Sequence, residues 1–284
     1  MTTLADLAEL VRAPAALSVP GDVIAGAAAA GALSPRTPAL AGASVLLYWA
    51  GMAANDWADR GLDAVERPER PIPSGRVTPA AAVGLAAGLT AAGVGLAAAV
   101  GGRRAVALAV PLAATIWGYD LLAKNTAAGP AVMAACRGLD VLLGASGGRV
   151  ARALPAAATV AAHTWTVTAL SRREVTGADA KLPMRTLAGT ALVAVSAAVA
   201  APRRVAVLPA VLAGWYAARY GAAQAEVVRD PSAGRVRAAV GAGITGLPAL
   251  QGALTARGGA GLLGLAVAAA APLGRRLARK VSPT

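Results

Sequence analysis

Phenylalanine is absent from this chain of 284 residues, cysteine and histidine occur once each, and charged residues make up only 14%. The single Cys136 cannot form an intrachain disulfide and leaves the redox compartment open. His163 has no second histidine or cysteine at ligand spacing, which argues against a metal role and for a hydrogen-bonded interior imidazole. A soluble domain carries about 25% charged residues, so water is not the main solvent of this chain. Polar stripes at helical spacing are also missing from stretches such as Ala80 to Val100, which argues against a soluble Ala-rich bundle. The N-terminus does not read as a cleaved signal: Met1 to Leu10 is acidic, and Pro20, Gly21 and Asp22 interrupt the first apolar block.

What fills the chain is Ala, Val and Leu, with 57% hydrophobic residues and a mean hydropathy of +0.59. Apolar blocks lie near 15–33, 38–55, 79–100, 104–122, 127–147, 153–170, 185–201, 204–222, 238–255 and 259–274. Blocks of roughly 17 to 25 residues are long enough to cross hydrocarbon as helices; the last is short and fits a re-entrant or interfacial piece as well. Helix is the expected form, because Ala and Leu dominate and a lone lipid-embedded segment must satisfy its own backbone. The fold class is therefore all-α, a polytopic transmembrane helical bundle, and 1–284 reads as one domain with no internal repeat.

The net charge of +13 is spread over the gaps between blocks, as membrane topology and anionic headgroups require, and not along a nucleic-acid groove. With the N-terminus inside, the inner loops take Arg12, Arg60, Arg67, Arg70, Arg76, Lys124, Arg172, Arg173, Lys181, Arg185, Arg219, Arg229, Arg235, Arg237, Arg275, Arg276, Arg279 and Lys280. The outer loops take Arg36, Arg103, Arg104, Arg149, Arg152, Arg203, Arg204 and Arg257, and Arg137 lies within a span. That bias supports ten crossings with both ends inside.

One inner loop is unusually polar. It runs Asn55-Asp56-Trp57-Ala58-Asp59-Arg60-Gly61-Leu62-Asp63, then Arg67-Pro68-Glu69-Arg70-Pro71-Ile72-Pro73-Ser74-Gly75. If the preceding helix continues, Asn55, Asp59 and Asp63 follow at i+4 steps on one face. Mg²⁺ takes oxygen ligands, keeps several waters and commonly binds one or two carboxylates plus substrate phosphates. The plain alternative is that these acids pair with Arg60, Arg67 and Arg70 in a solvated loop. An aligned Asn and Asp ladder at the end of a membrane helix is costly unless it is used.

This string closely resembles the first signature of the UbiA superfamily of intramembrane prenyltransferases. Tyr119 and Lys124 at the end of the fourth span, and Arg137-Gly138 opening a Gly-rich fifth span, are also similar to that family. The runs Asp63 to Gly75 and Ser171 to Gly177 look most like its EboC-like subgroup. The resemblance implies a UbiA-like nine-helix core, with a tenth C-terminal helix as an addition. It implies a Mg²⁺-dependent transferase of a plasma or inner membrane, with its active-site loops on the cytoplasmic side. An isoprenyl diphosphate donor would ionise and its carbocation would be captured by a small acceptor. The partners implied are these two molecules and membrane lipid.

On that reading Asp59 and Asp63 are catalytic metal carboxylates, with Asn55 and Asp56 beside them, and Asp22 faces the acceptor. The family's second signature, Asp-x-x-x-Asp, is replaced by Glu174 and Asp179, whose five-residue spacing does not stack on a regular helix. Arg67, Arg70, Lys124, Arg172, Arg173 and Lys181 are candidates to hold the diphosphate. Tyr119, Arg137, Asp140 and His163 are candidates for the substrate pocket, with Arg137 and Asp140 three apart and placed to neutralise each other. A terpene cyclase on the same fold is the nearest rival, and the lack of Phe disfavours it, because migrating cations are often held by aromatic faces. A non-catalytic isoprenoid carrier is the other alternative. A CDP-alcohol phosphotransferase is set aside because its Asp-Gly-x-x-Ala-Arg opening is absent.

Overall fold

Proline, threonine and glycine mark where the helices begin and end. The computed structural model describes residues 2–13, 18–179, 181–199 and 207–270; these contain eleven α-helices and no strand. Helix α1 (Leu4–Leu10) is opened by a reciprocal capping box between Thr3 and Asp6. Helix α2 (Pro20–Ala30) starts on a proline, whose missing N–H costs nothing in the first turn, and stops at Gly31, where φ is 66°. Then come α3 (Thr37–Ala58), α4 (Arg60–Glu66) and α5 (Pro79–Gly118), the last capped by the Thr78 hydroxyl. A π turn (Tyr119–Ala123) extends α5, followed by α6 (Gly129–Gly144) and α7 (Val150–Ser171). The chain continues through α8 (Lys181–Val199), α9 (Val207–Arg229), α10 (Ala233–Arg257) and α11 (Gly261–Ala270).

Each apolar block of the sequence carries a helix, but the lengths differ from expectation at both ends. Helix α2 has 11 residues, about 16 Å of rise, so it falls short of a full crossing as a helix. Helix α11 has ten described residues, and the rest of its block, with Arg275, Arg276, Arg279 and Lys280, lies outside the described residues, as do Arg203 and Arg204. By length and composition, Thr37–Ala58, Pro79–Ala123 and Lys181–Val199 are long and apolar enough to cross a membrane.

The 40 residues of α5 form two limbs and not a rod. Trp117 Nε1 donates to Thr90 Oγ1 at 3.1 Å, whereas 27 residues of straight helix would separate them by about 40 Å. The reversal falls at Gly102, with φ 61° and ψ −154°, a conformation open to glycine and to almost nothing else. Limbs 79–101 and 103–118 therefore run antiparallel, matching the two blocks of the sequence, and they clasp α3 through Gly93 against Leu47 and Gly51 against Ile116.

Helix α2 lies at the centre, packed against α3, α6, α7 and α10. Its backbone meets α6 directly at one close crossing near its middle: Gly26 abuts the Val141 carbonyl, and Gly144 abuts that of Val23. Contacts also sort the loops into two ends. At one end the Gly101 turn meets Leu40 and Ser146, Arg149 donates its amide to the Ala30 carbonyl, and Gly258 abuts Ala28. At the other end Arg172 bonds the Thr126 carbonyl and Arg237 that of Glu174. Lys124 and the Arg67 to Arg76 loop share that second end, so the cation-rich loops gather there.

Replacing Gly102 with Ala forces a side chain into this backbone conformation. We expect a loss of roughly 1–3 kcal/mol, read as earlier unfolding of purified protein in detergent.

Candidate active site

At the cation-rich end, the last turn of α3 carries Asn55 and Asp56, the junction with α4 carries Asp59, and α4 carries Asp63. The hydrogen-bond ladder runs on through the junction, Asp59 N to Asn55 O and Asp63 N to Asp59 O. Partners nevertheless divide the acids into two layers. Asp63, 1% exposed, accepts from Arg70 at 2.7 Å with Arg67 3.6 Å away, and Asp56 is held by Arg12 at 2.7 Å and Arg70 at 3.4 Å. These two acids anchor the loop beneath. Asn55 and Asp59 form the upper layer: Asn55 Nδ2 donates to Asp120 at 3.0 Å, and Asp59 meets Lys124 Nζ at 2.5 Å.

Asp120 is the group the sequence reading missed. It sits in the π turn after α5, a wide turn type often found at functional sites. Asn55 is its side-chain partner, and among the described residues no cation lies within ion-pair distance of it. The charges acting on it are those of Lys124, Asp59 and Arg12. Gly51 makes room for it, since a Cβ there would press on Ile116 and approach Asp120 Oδ2 to 3.4 Å. The signal was available: an acid inside the fourth block is functional by default.

Asn55, Asp120 and Arg12 line a cavity in two parts, and Asp59 and Lys124 lie outside its lining. The mouth, about 230 Å³, is lined by Arg12, Asn55, Asp120, Gly51 and Cys136 among others. Tyr48, Met52, Tyr119 and Met133 line both it and a deeper, mostly apolar chamber of about 360 Å³. Val167, Val240, Ile244 and Leu247 supply the apolar wall of the chamber, with Arg137, His163 and Ser171 on its polar side. His163 is buried and shares a 2.8 Å hydrogen bond through Nδ1 with the Tyr216 hydroxyl, as an interior histidine should.

The remaining candidates lie apart from the mouth. Asp22 is fully buried, paired with Arg137 Nε at 2.8 Å and accepting from Gln251 Nε2 at 2.6 Å, so it braces the chamber wall instead of facing the cavity. Arg137 thus contacts Asp22, not Asp140 as its spacing suggested; Asp140 accepts from the Ser44 hydroxyl. Asp179 spends a carboxylate oxygen on the Leu182 and Lys181 amides at the start of α8, and those bonds lower its pKa. Partial burial raises that of Glu174. Neither acid lines the cavity, and nor do Asp56, Asp59, Asp63, Arg67, Arg70, Lys124, Arg172, Arg173 and Lys181. Among the described residues no three of His, Cys, Asp and Glu gather as a metal-binding cluster.

The model of the UbiA prenyltransferase family matches residues 18–228. The chain belongs to that family. Among the proteins similar to this UbiA member is the digeranylgeranylglyceryl phosphate synthase of Methanothrix thermoacetophila, 44% identical over 80 residues, or 27% of this chain and 30% of the relative. That of Natronomonas pharaonis is 44% identical over 85 residues, 29% and 31% of the two chains. The matched stretches thus span under a third of these curated relatives. A solved structure concerned with digeranylgeranylglyceryl phosphate synthase in membranes superposes with a TM-score of 0.70 at 16% identity, covering 90% of this chain and 98% of the other. An apo UbiA homologue from Aeropyrum pernix K1 gives 0.61 at 20% identity over 88% and 96%. The fold is that of UbiA membrane proteins, and the chain is an integral membrane protein.

The Asp22–Arg137 pair predicts its own test. Arg137→Met strands a buried carboxylate and should cost about 3–5 kcal/mol, whereas Asp22→Leu with Arg137→Met should recover most of that loss; denaturant titration in micelles measures both.

Proposed function

We propose that this UbiA protein transfers an isoprenyl group from its diphosphate to a small acceptor, with Mg²⁺ at the cavity mouth. The observation that carries the reading is the pair Asn55 and Asp120 on the wall of the cavity mouth, with Asp59 one helical turn from Asn55 and an apolar chamber directly behind. Amphiphilic donors need both.

The residues fit a magnesium ion. Asp120 is a carboxylate at the cavity wall with no ion-pair partner among the described residues, and the Asn55 amide oxygen accepts no hydrogen bond there. Two carboxylates and an amide leave room for waters and phosphate oxygens, which this ion prefers to a full protein cage. Bound there, it would supply Lewis-acid relief of the charge that builds on a departing diphosphate.

The chain's own groups do the rest. Lys124, paired with Asp59 and near enough for its charge to act on Asp120, presents a point charge to phosphoryl oxygens, and Arg172, whose charge reaches Tyr119, stands on the facing loop. Met52, Met133, Val167, Ile244 and Leu247 hold the isoprenyl chain by apolar contact and keep water from an allylic cation. The gathering of cations at the mouth end supports a cytoplasmic active site. Relatives named for digeranylgeranylglyceryl phosphate favour a long donor such as geranylgeranyl diphosphate.

Asp59→Ala and Asp120→Asn should each lower diphosphate release by roughly 10²-fold or more while helicity and detergent elution stay as in the parent. Undiminished release from both variants would rule the assignment out. A cyclic hydrocarbon formed from donor alone would redirect it to a cyclase.

Gly51→Leu should force the α3–α5 contact at Ile116 apart and cost about 1–3 kcal/mol, read as earlier unfolding of the purified protein in detergent.

A further inference from the structure

Arg12 entered the sequence reading only as a topology charge, yet it lines the cavity mouth beside Asn55 and Asp120. Its backbone has φ 45°, the one left-handed non-glycine among the described residues. Such a conformation persists only where surrounding contacts over-determine it, and here they are explicit. On its N-terminal side, Leu10 and Val11 are buried with Ala53, Ala54, Ile72 and Val77. Arg76 grips α1 from the loop after the Asp motif, with Asp6 and Glu9 each at 2.7 Å, and its other arm donates to the Glu69 carbonyl. Bonds from Thr3 and Arg76 hold the Asp6 carboxyl at about 2. Asp6 keeps its charge above its ordinary value of 3.8, and the clamp weakens only as pH falls through about 2.

We propose that Arg12 is a substrate-binding residue that grips the diphosphate of the donor, and that α1, clamped by Arg76, exists to hold it over the mouth. The assignment rests on the prenyl diphosphate reading above. One nitrogen, Nη2, donates to Asp56 Oδ1 at 2.7 Å, and the other N–H groups have no partner among the described residues. Asp56 holds one nitrogen of the guanidinium, and the side chain, 40% exposed, lines the mouth. A planar fork is the donor geometry that suits phosphoryl oxygens. Among the residues lining the mouth Arg12 is the one cation and Asp120 the one acid, with Lys124 held nearby on Asp59, and a polyanion entering there requires a cation on the wall.

The test uses the full chain in nanodiscs with Mg²⁺, and measures affinity for geranylgeranyl diphosphate and for geranylgeraniol, which lacks the diphosphate. Arg12→Gln should weaken diphosphate binding by about tenfold or more, the scale of a lost charge-assisted hydrogen bond, and leave the alcohol within about twofold. Arg12→Lys should recover part of the loss. Arg76→Gln should weaken diphosphate binding in the parent and add nothing to Arg12→Gln. If Arg12 serves only to neutralise Asp56, the double variant Arg12→Gln with Asp56→Asn regains parental affinity, and that result overturns the proposal. Equal loss of both ligands, or no loss of either, overturns it as well. A parent protein that binds the diphosphate no better than the alcohol overturns the prenyl diphosphate reading, and this assignment with it.

Discussion

The site depends on how closely two helix backbones can approach. In lipid there is little hydrophobic drive between helices, so association rests on van der Waals contact and on side chains small enough to permit it. At Gly26 an added Cβ would fall 1.7 Å from the Val141 carbonyl oxygen, and at Gly144 it would fall 1.9 Å from that of Val23. These two contacts, one turn apart, fix where α2 crosses α6. Asp22 then reaches Arg137, and Met133, Cys136 and Arg137 are presented to the cavity.

Given that frame, low dielectric decides what each polar group does. A charge within an apolar bundle has to be answered by a partner, by water or by a ligand. Asp22 is answered by Arg137 and Gln251, and Asp63 by Arg70, so these acids act as braces. Asp120, whose described side-chain partner is a neutral amide, keeps an unspent negative field directed at the mouth. The same residue type is thus tied into ion pairs in one layer and left with a neutral partner at the cavity wall in the next.

Much of this was legible in the chain itself. The apolar blocks gave the helices, and the pair 79–100 and 104–122 correctly framed a reversal, because Gly101-Gly102-Arg103-Arg104 broke the pattern between them. The Asn55 to Asp63 string stood out for the same reason, since polar oxygen at a membrane helix end is conspicuous, and Asn55 lies on the cavity wall. What spacing did not convey was partnership. Arg137 and Asp140 are one turn apart, yet Arg137 turns to Asp22, 115 positions earlier in the chain. Asp63, counted with Asn55 and Asp59, is drawn under the loop by Arg70. Arg12 carried no local signal, because its position comes from α1 docking on residues some 60 positions away. Long-range pairing of single polar residues among repetitive Ala and Leu leaves no trace in periodicity.

The tight reversal at Gly102 bears on how the protein is made. With one residue between the limbs no loop separates them, so they form a single hairpin whose halves cannot be placed in a bilayer independently. Arg103 and Arg104 are exposed at its tip, so two adjacent guanidinium groups cap the hairpin where both apolar limbs end.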